Sequence, residues 1–183
     1  MPGRYRFIGT VIQPLGKGAL LAAAPSTPCI FISHKREDSE MAKVVASNLI
    51  EMNVDVWLDD LERLPEQPST PAEHLKLTEA IETGLQSSTH LLALVTPHTK
   101  GSWWVPFEIG SCRALRRGLA FLLHRDVSDI PSYMVVGESL VDKEALFAWA
   151  EKLSLRPGTV SVRAMYQMRQ SANLDKFVAS KRS

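Results

Sequence analysis

Residues 29–33 read Cys-Ile-Phe-Ile-Ser, and the polar run His-Lys-Arg-Glu-Asp follows directly at residues 34–38. A short apolar run without polar alternation is typical of a strand that is buried on both faces of a parallel sheet. Asp38 or Ser39 can then cap a helix whose apolar residues recur at helical spacing. This stretch therefore predicts the first strand and the first helix of an α/β domain.

The same alternation of strand and helix repeats along the chain. Further strands are predicted at residues 54–58, 91–95, 119–123 and 132–136, with helical patterns between and after them. Right-handed crossovers turn such an order into a parallel sheet with helices on both faces. We expect a flavodoxin-like, three-layer α/β/α fold with about five strands in the order 2-1-3-4-5.

The chain divides into an N-terminal extension, a strand–helix domain and a C-terminal extension or tail, at residues 1–27, 28–154 and 155–183. Within the first part, residues 5–12 could form a short strand. Within the last part, Met165 and Met168, then Phe177 and Val178, could dock short helices. The alternative for this part is a solvated or loosely packed tail.

The composition argues against several classes of protein. The chain has 21 basic and 20 acidic residues, and its net charge of +1 gives no electrostatic reason to expect binding to nucleic acid or a membrane surface. No apolar run approaches the roughly 18 residues of a membrane-spanning helix. Cys29 and Cys112 form no disulfide or zinc pattern and fit a reducing, cytoplasmic setting. The five histidines have no metal-ligand spacing, so no metal site is predicted.

A second informative stretch is residues 102–110, Ser-Trp-Trp-Val-Pro-Phe-Glu-Ile-Gly. Glu108 is a lone carboxylate in an apolar run, which is uncommon without a partner or a purpose. If the run is helical, Trp104 and Glu108 share a face, although Pro106 leaves the start of the helix open. The alternative is that Glu108 points to solvent while the tryptophans fill the core.

The expected topology favours a site at this stretch. Ligands of such sheets bind at the carboxyl ends of the strands where the winding reverses, between the first and third strands. The first strand ends at Ser33, and the third leads into Trp104 and Glu108. Lys35 and Arg36 lie just before a helix N-terminus, where they would favour an anion such as a pyrophosphate. For these two residues a solvated turn is the alternative.

Several motifs of nucleotide-binding and hydrolytic enzymes are absent from the sequence. There is no Gly-x-Gly-x-x-Gly, no Gly-Lys-Ser/Thr phosphate loop and no Gly-x-Ser-x-Gly nucleophile elbow. A dinucleotide, if bound, is therefore not held in the Rossmann manner. Asp59, after the second strand, could bind ribose hydroxyls or simply solvate its loop.

Three segments, taken in order, resemble the motifs of TIR (Toll/interleukin-1 receptor-like) domains. CIFISHKRED at residues 29–38 looks like the first motif, and VDVWLDDLERLPE at 54–66 is similar to the second, where strand 2 enters the BB loop. SWWVPFEIGSC at 102–112 resembles the third helix, with its Trp-x-x-x-Glu pattern. The resemblance covers about residues 28–153. The chain departs from it at His34, where many relatives have tyrosine, and in the second loop, which lacks the common Pro-Gly.

The resemblance to NAD-cleaving TIR domains implies roles for individual residues. It places Glu108 at the catalytic glutamate and Trp104 at the aromatic residue near the site. It implies substrate-binding positions at Ser33, His34, Lys35, Arg36, Asp59, Leu64 and Trp104. NAD⁺ would be the substrate, and no cofactor or metal is implied.

The resemblance also implies a function in signalling. A bacterial NAD⁺ nucleosidase or cyclase of this type would make ADP-ribose, a cyclic ADP-ribose isomer or a related nucleotide, as the TIR component of Thoeris anti-phage defence does. We then expect a cytoplasmic homo-oligomer that assembles through TIR surfaces, and a separate effector protein that responds to the product. Two other functions remain open. One is a non-catalytic TIR scaffold, and the other is a nucleoside deoxyribosyltransferase-like enzyme of related fold.

Overall fold

A computed structural model of the protein describes residues 5–7, 28–58, 70–153 and 172–178. Its centre is a parallel sheet of β1 (Tyr5–Phe7), β2 (Cys29–Ser33), β3 (Asp55–Leu58), β4 (His90–Val95), β5 (Gly118–Leu123) and β6 (Glu138–Leu140). The strands lie in the order β1-β3-β2-β4-β5-β6, and every neighbouring pair is parallel. If β1 is set aside and β2 is counted as the first strand, this is the expected order 2-1-3-4-5. The flavodoxin-like fold is therefore confirmed. β1 adds a further strand at the edge, beside β3.

The helices lie between and after these strands. They are α1 (Ser39–Glu51), α2 (Pro71–Gln86), α3 (Trp104–Ala114), α4 (Lys143–Leu153) and α5 (Ala172–Phe177), together with 3₁₀ helices at Arg36–Asp38, Pro97–Gly101 and Ser132–Val136. In the described ranges, no helix is both long and apolar enough to cross a membrane.

Local sequence explains where several helices begin and end. A capping box starts α2: Thr70 Oγ1 accepts a bond from the Glu73 amide at 3.2 Å, and the Glu73 carboxylate accepts one from the Thr70 amide at 3.1 Å. Asp142 caps α4 through Oδ1, which accepts a bond from the Ala145 amide at 2.7 Å, as predicted. After α1, Asn53 has a φ of 63°, a left-handed conformation that asparagine tolerates.

The predicted fifth strand is misplaced. Residues Ser132–Val136 form a 3₁₀ helix, and the strand is Glu138–Leu140 instead. The adjacent valines favoured a strand, but Val135 is 85% exposed and contributes little to the core. The chain joins β5 only after Gly137, where a Cβ would lie 2.5 Å from the Phe121 ring. A glycine is needed at this close approach, and it therefore marks the start of the strand.

Alternation along the strands divides the core between two faces of the sheet. In β2, Ile30 and Ile32 pack with α1, α4 and α5, on what we call the α1 face. Cys29 and Phe31 pack with α2 and α3, on the α3 face. Ser33 has the parity of Cys29 and Phe31, so its side chain faces α3.

The C-terminal residues complete the α1 face. Leu174, Phe177 and Val178 are buried in its core cluster. The Arg125 amide donates a hydrogen bond to the Phe177 carbonyl at 2.9 Å, and Lys143 forms an ion pair with Asp175. For residues 172–178 the docking alternative is therefore confirmed, and the solvated tail is wrong; Met165 and Met168 lie outside the described residues.

Candidate functional site

The site is centred on a buried hydrogen bond between β2 and α3. Ser33, the last residue of β2, donates its hydroxyl hydrogen to Oε2 of Glu108. Glu108 is only 4% exposed, so the alternative in which it points to solvent is wrong. A buried carboxylate needs hydrogen-bond donors around it, because its charge has lost the stabilisation that water provides. This bond joins the first strand of the expected topology to the helix that follows the third, at the point where the winding reverses.

The start of α3 explains how Pro106 is accommodated. The helix begins at Trp104, and Ser102 Oγ accepts a bond from the Val105 amide at 3.2 Å. Pro106 is the third residue of the helix, where the backbone amide would have no partner within the helix. Trp104 and Glu108 therefore both lie in the helix, four residues apart, as the sequence predicted.

The two tryptophans have different environments. Trp104 is partly buried against the core of the α3 face and meets the Phe107 ring edge-on, with ring centroids 5.8 Å apart. Trp103 is 91% exposed, so the expectation that both tryptophans fill the core is wrong for this residue. Such an indole contributes nothing to the core and is available to a partner.

The remaining predicted site residues follow Ser33 or lie in the loop after β3. His34 is buried, and its Nδ1 lies 3.4 Å from the Ile32 carbonyl oxygen. Lys35 and Arg36 are partly exposed at the start of the 3₁₀ helix that precedes α1. Their cationic groups are thus at the carboxyl edge of the sheet, as expected. Asp59 and Leu64 lie outside the described residues.

A second buried carboxylate lies at the same edge, and sequence reasoning gave it a different role. Asp38 occupies the cap position of α1 but makes no side-chain cap bond. Its Oδ2 instead accepts a bond from Thr96 Oγ1 at 2.8 Å, and its Oδ1 lies 3.0 Å from Nδ1 of His98. A carboxylate only accepts, so Nδ1 of His98 carries the proton in this contact. The sequence did contain one indication that Asp38 and Thr96 meet, because they follow β2 and β4, which are neighbouring strands.

The thiol of Cys112 does not offer a rival chemistry on α3. Burial raises the pKa of this thiol to about 12, against smaller opposing effects of Arg117 and of a backbone hydrogen bond. A thiol that stays protonated is a poor nucleophile. Glu108, one turn earlier, is therefore the reactive candidate on this helix.

Comparison with known families agrees with this arrangement. A model of the TIR domain family matches residues 30–136, more than half of the chain. The match runs from β2 to the 3₁₀ helix before β6 and includes both Ser33 and Glu108. No curated protein matches the sequence.

Proposed function

Because the chain belongs to the TIR domain family, we propose that it is an NAD⁺ nucleosidase or cyclase that cleaves the bond between nicotinamide and ribose. The observation that supports this proposal is the buried Glu108 carboxylate, held by the Ser33 hydroxyl at the switch point of the sheet. Burying a carboxylate costs stability, and buried charges of this kind are concentrated at functional sites. A purely structural helix has no need of one.

The reaction requires little more than charge stabilisation. The bond between the ribose C1′ and the nicotinamide nitrogen breaks, and its electron pair leaves with the nicotinamide, which departs neutral. Positive charge develops on the ribose, as in glycoside hydrolysis. A carboxylate beside the ribose stabilises that charge and accepts hydrogen bonds from the hydroxyls. We assign this role to Glu108.

The other candidate residues would bind the two ends of the substrate. Lys35 and Arg36 would neutralise the pyrophosphate, for which cationic side chains near a helix N-terminus are suited. Trp104 would stack against the nicotinamide or the adenine. NAD⁺ is consumed in this scheme, so no separate cofactor takes part.

The nucleophile that attacks C1′ decides the product. Water attacks, loses a proton and gives ADP-ribose, whereas an atom of the same molecule gives a cyclic ADP-ribose isomer. We further propose that the product is a signal in anti-phage immunity, made in the cytoplasm by a homo-oligomer and detected by a separate effector protein. These steps rest on the resemblance to the TIR component of Thoeris defence.

The test compares the wild type with Glu108→Gln and Glu108→Ala, with NAD⁺ and nucleosides as separate substrates. Nucleotide products are measured by mass spectrometry, both with purified protein and in phage-challenged cells that carry the gene. We expect NAD⁺ cleavage to fall at least about 100-fold in both variants, because removing one group that stabilises transition-state charge has effects of this size. Glu144→Gln, which changes an exposed glutamate on α4, is the matched control and should cleave like the wild type.

Equal turnover by the wild type and Glu108→Ala would refute the role of Glu108. Cleavage of nucleosides but not of NAD⁺ would indicate the deoxyribosyltransferase-like enzyme instead. Failure to cleave NAD⁺ under both conditions would refute the proposed activity.

A second candidate function is a TIR scaffold without catalysis, and the exposure of Trp103 favours it. An indole that is 91% exposed, beside Phe107 at 37%, is a suitable anchor for another protein. If the chain acts only as a scaffold, Trp103→Ala will abolish its function in cells, whereas Glu108→Ala will retain it. If it acts as an enzyme, Glu108→Ala will abolish function.

A further inference from the structure

Asp38, Thr96, His98 and Thr99 form a polar cluster that we call the Asp38 cluster, and the proposed chemistry does not use it. Asp38 lies at the end of the segment that follows β2. Thr96 follows β4, and His98 and Thr99 belong to the 3₁₀ helix Pro97–Gly101. Asp38, Thr96 and Thr99 are buried, whereas the His98 side chain is about half exposed. The cluster connects the same two segments that carry Lys35 and Arg36 on one side and Trp104 on the other.

The hydrogen bonds of the cluster also shape the turn before α3. Thr96 Oγ1 donates to Asp38 and accepts a bond from the His98 amide at 3.1 Å. Thr99 Oγ1 accepts a bond from the Thr96 amide at 3.0 Å and donates to the Leu94 carbonyl at 3.2 Å. Because one hydroxyl serves both Asp38 and the turn, a change at Asp38 is transmitted to the backbone that leads into α3.

Among the described residues, two side-chain connections join these segments in addition to the backbone ladder between β2 and β4. Ser33 bonds to Glu108, and Asp38 bonds to Thr96 and His98. The β2–β4 ladder ends at the pair Ser33 and Ala93, so beyond that pair the side-chain bonds add to what holds the two segments in a fixed relative orientation. Removing the second would therefore leave the Ser33–Glu108 bond in place but loosen the angle between Lys35–Arg36 and α3.

We propose that Asp38 is a positioning residue that holds the segment of Lys35 and Arg36 in register with Glu108. This inference rests on the proposed function, because it concerns where the two ends of NAD⁺ are held. Asp38 itself does not touch the substrate in this scheme; it acts through Thr96 and His98. Misplacing a reacting group by about 1 Å can cost on the order of 100-fold in rate, so the effect should appear mainly in kcat.

The experiment uses the full chain and four variants. Asp38→Asn keeps the size of the side chain but replaces one acceptor with an amide donor, which cannot accept from Thr96 or His98. His98→Ala removes one donor from a half-exposed position, so the fold should survive, and His98→Asn restores a donor near the place of Nδ1. Asp142→Asn is the matched control, since it makes the same substitution at the cap of α4, where asparagine can also accept the bond from the Ala145 amide, and it lies outside the Asp38 cluster.

We measure kcat and KM for NAD⁺ per folded molecule, and hydrogen exchange of the His98, Thr99 and Ser102 amides, which bond within the turn. We expect kcat to fall about 10- to 100-fold in Asp38→Asn and His98→Ala, with KM changed less than about threefold, and to recover in His98→Asn. Exchange at the three amides should quicken about tenfold in Asp38→Asn and stay unchanged in Asp142→Asn.

Any of three results would overturn the positioning role. The first is unchanged exchange at the turn in Asp38→Asn, and the second is a kcat per folded molecule that matches the wild type in both Asp38→Asn and His98→Ala. The third is equal loss of kcat in His98→Ala and His98→Asn, because the restored donor should rescue. Lack of NAD⁺ cleavage by the wild type would instead refute the proposed function, and the exchange data would separate the two failures.

Discussion

The two faces of the sheet are built from alternate residues of the same strands, yet they are completed in different ways. On the α1 face, Ile30 and Ile32 meet an apolar core that α5 closes with Leu174 and Phe177. On the α3 face, the same strand β2 ends in Ser33, and the helix opposite it contributes a buried carboxylate. At the start of α3, on the same side of the sheet, Trp103 is left exposed.

Under the proposed function, one strand serves both stability and chemistry. Burial of apolar side chains stabilises the α1 face, whereas at Glu108 the α3 face buries a polar carboxyl group, which costs stability unless it is hydrogen-bonded. Proteins commonly accept such local costs at functional sites. We therefore expect substitutions on the α1 face to reduce stability and substitutions around Glu108 to reduce activity more than stability.

The largest effect on stability is expected at Phe177 on the α1 face. Its ring is buried and meets the His124 imidazole edge-on, with centroids 4.9 Å apart. Phe177→Ala should lower the free energy of unfolding by about 3–5 kcal/mol, as is usual for a buried phenylalanine. Trp103→Ala, a large but exposed aromatic residue, is the matched control and should change it by less than about 0.5 kcal/mol. Equal effects of the two in urea unfolding would contradict the docking of α5.

A smaller effect on stability is expected at Ser33, the residue of β2 that bonds to Glu108 on the α3 face. Ser33→Ala removes a donor from the buried Glu108 carboxylate and should cost about 1–3 kcal/mol in stability. Ser33→Ala made in the Glu108→Gln variant should cost less stability, because the side chain left without this donor is then a neutral amide. The double-mutant cycle should give a coupling of about 0.5–3 kcal/mol. Ser47→Ala on the exposed side of α1 is the control, and additivity of Ser33 and Glu108 would refute the coupling.

The smallest expected effect concerns pH and His90 at the start of β4. Burial lowers the pKa of His90, whose ring meets Trp149 edge-on, with ring centroids 6.0 Å apart. Histidine in the unfolded chain titrates near about 6.5, so below that pH the unfolded state binds more protons and the folded state loses stability. His90→Gln should flatten this acid loss between about pH 5 and about pH 7 in urea unfolding, whereas His74→Gln, at an exposed position, should not. An unchanged slope in His90→Gln would contradict the prediction.

Much of the fold could be predicted from the strands because their apolar runs are unusually clear. β2 and β4 lack polar alternation, and that pattern indicates burial on both faces and hence a parallel sheet. The strand at 132–136 was wrong for a local reason, since two valines carry strand propensity in any setting. β6 can pair with β5 because Gly137 lets the backbone come close to the Phe121 ring. Residue propensities do not describe such a long-range contact.

Residues of the candidate site could be predicted only where their own stretch of sequence is unusual. Glu108 stands out because a lone carboxylate in an apolar run is rare, and topology alone places it near Ser33. The bonds of Asp38 to Thr96 and His98 join residues that are 58 and 60 positions apart. Seen locally, Asp38 fits the pattern of a helix cap, and nothing in its neighbourhood indicates that its carboxylate turns away from the helix.

The docking of α5 also has a consequence for the order in which the protein is made. Among the described residues, the core cluster of the α3 face is drawn from residues 29–134, whereas that of the α1 face is incomplete until Phe177 and Val178 have been synthesised. On the ribosome, the part of the α1 face that α5 covers therefore stays exposed after the sheet strands have been made. Exposed apolar surface of this kind attracts chaperones and other nascent chains. Synthesis and docking of α5, more than formation of the sheet, should be the step that ends this vulnerability.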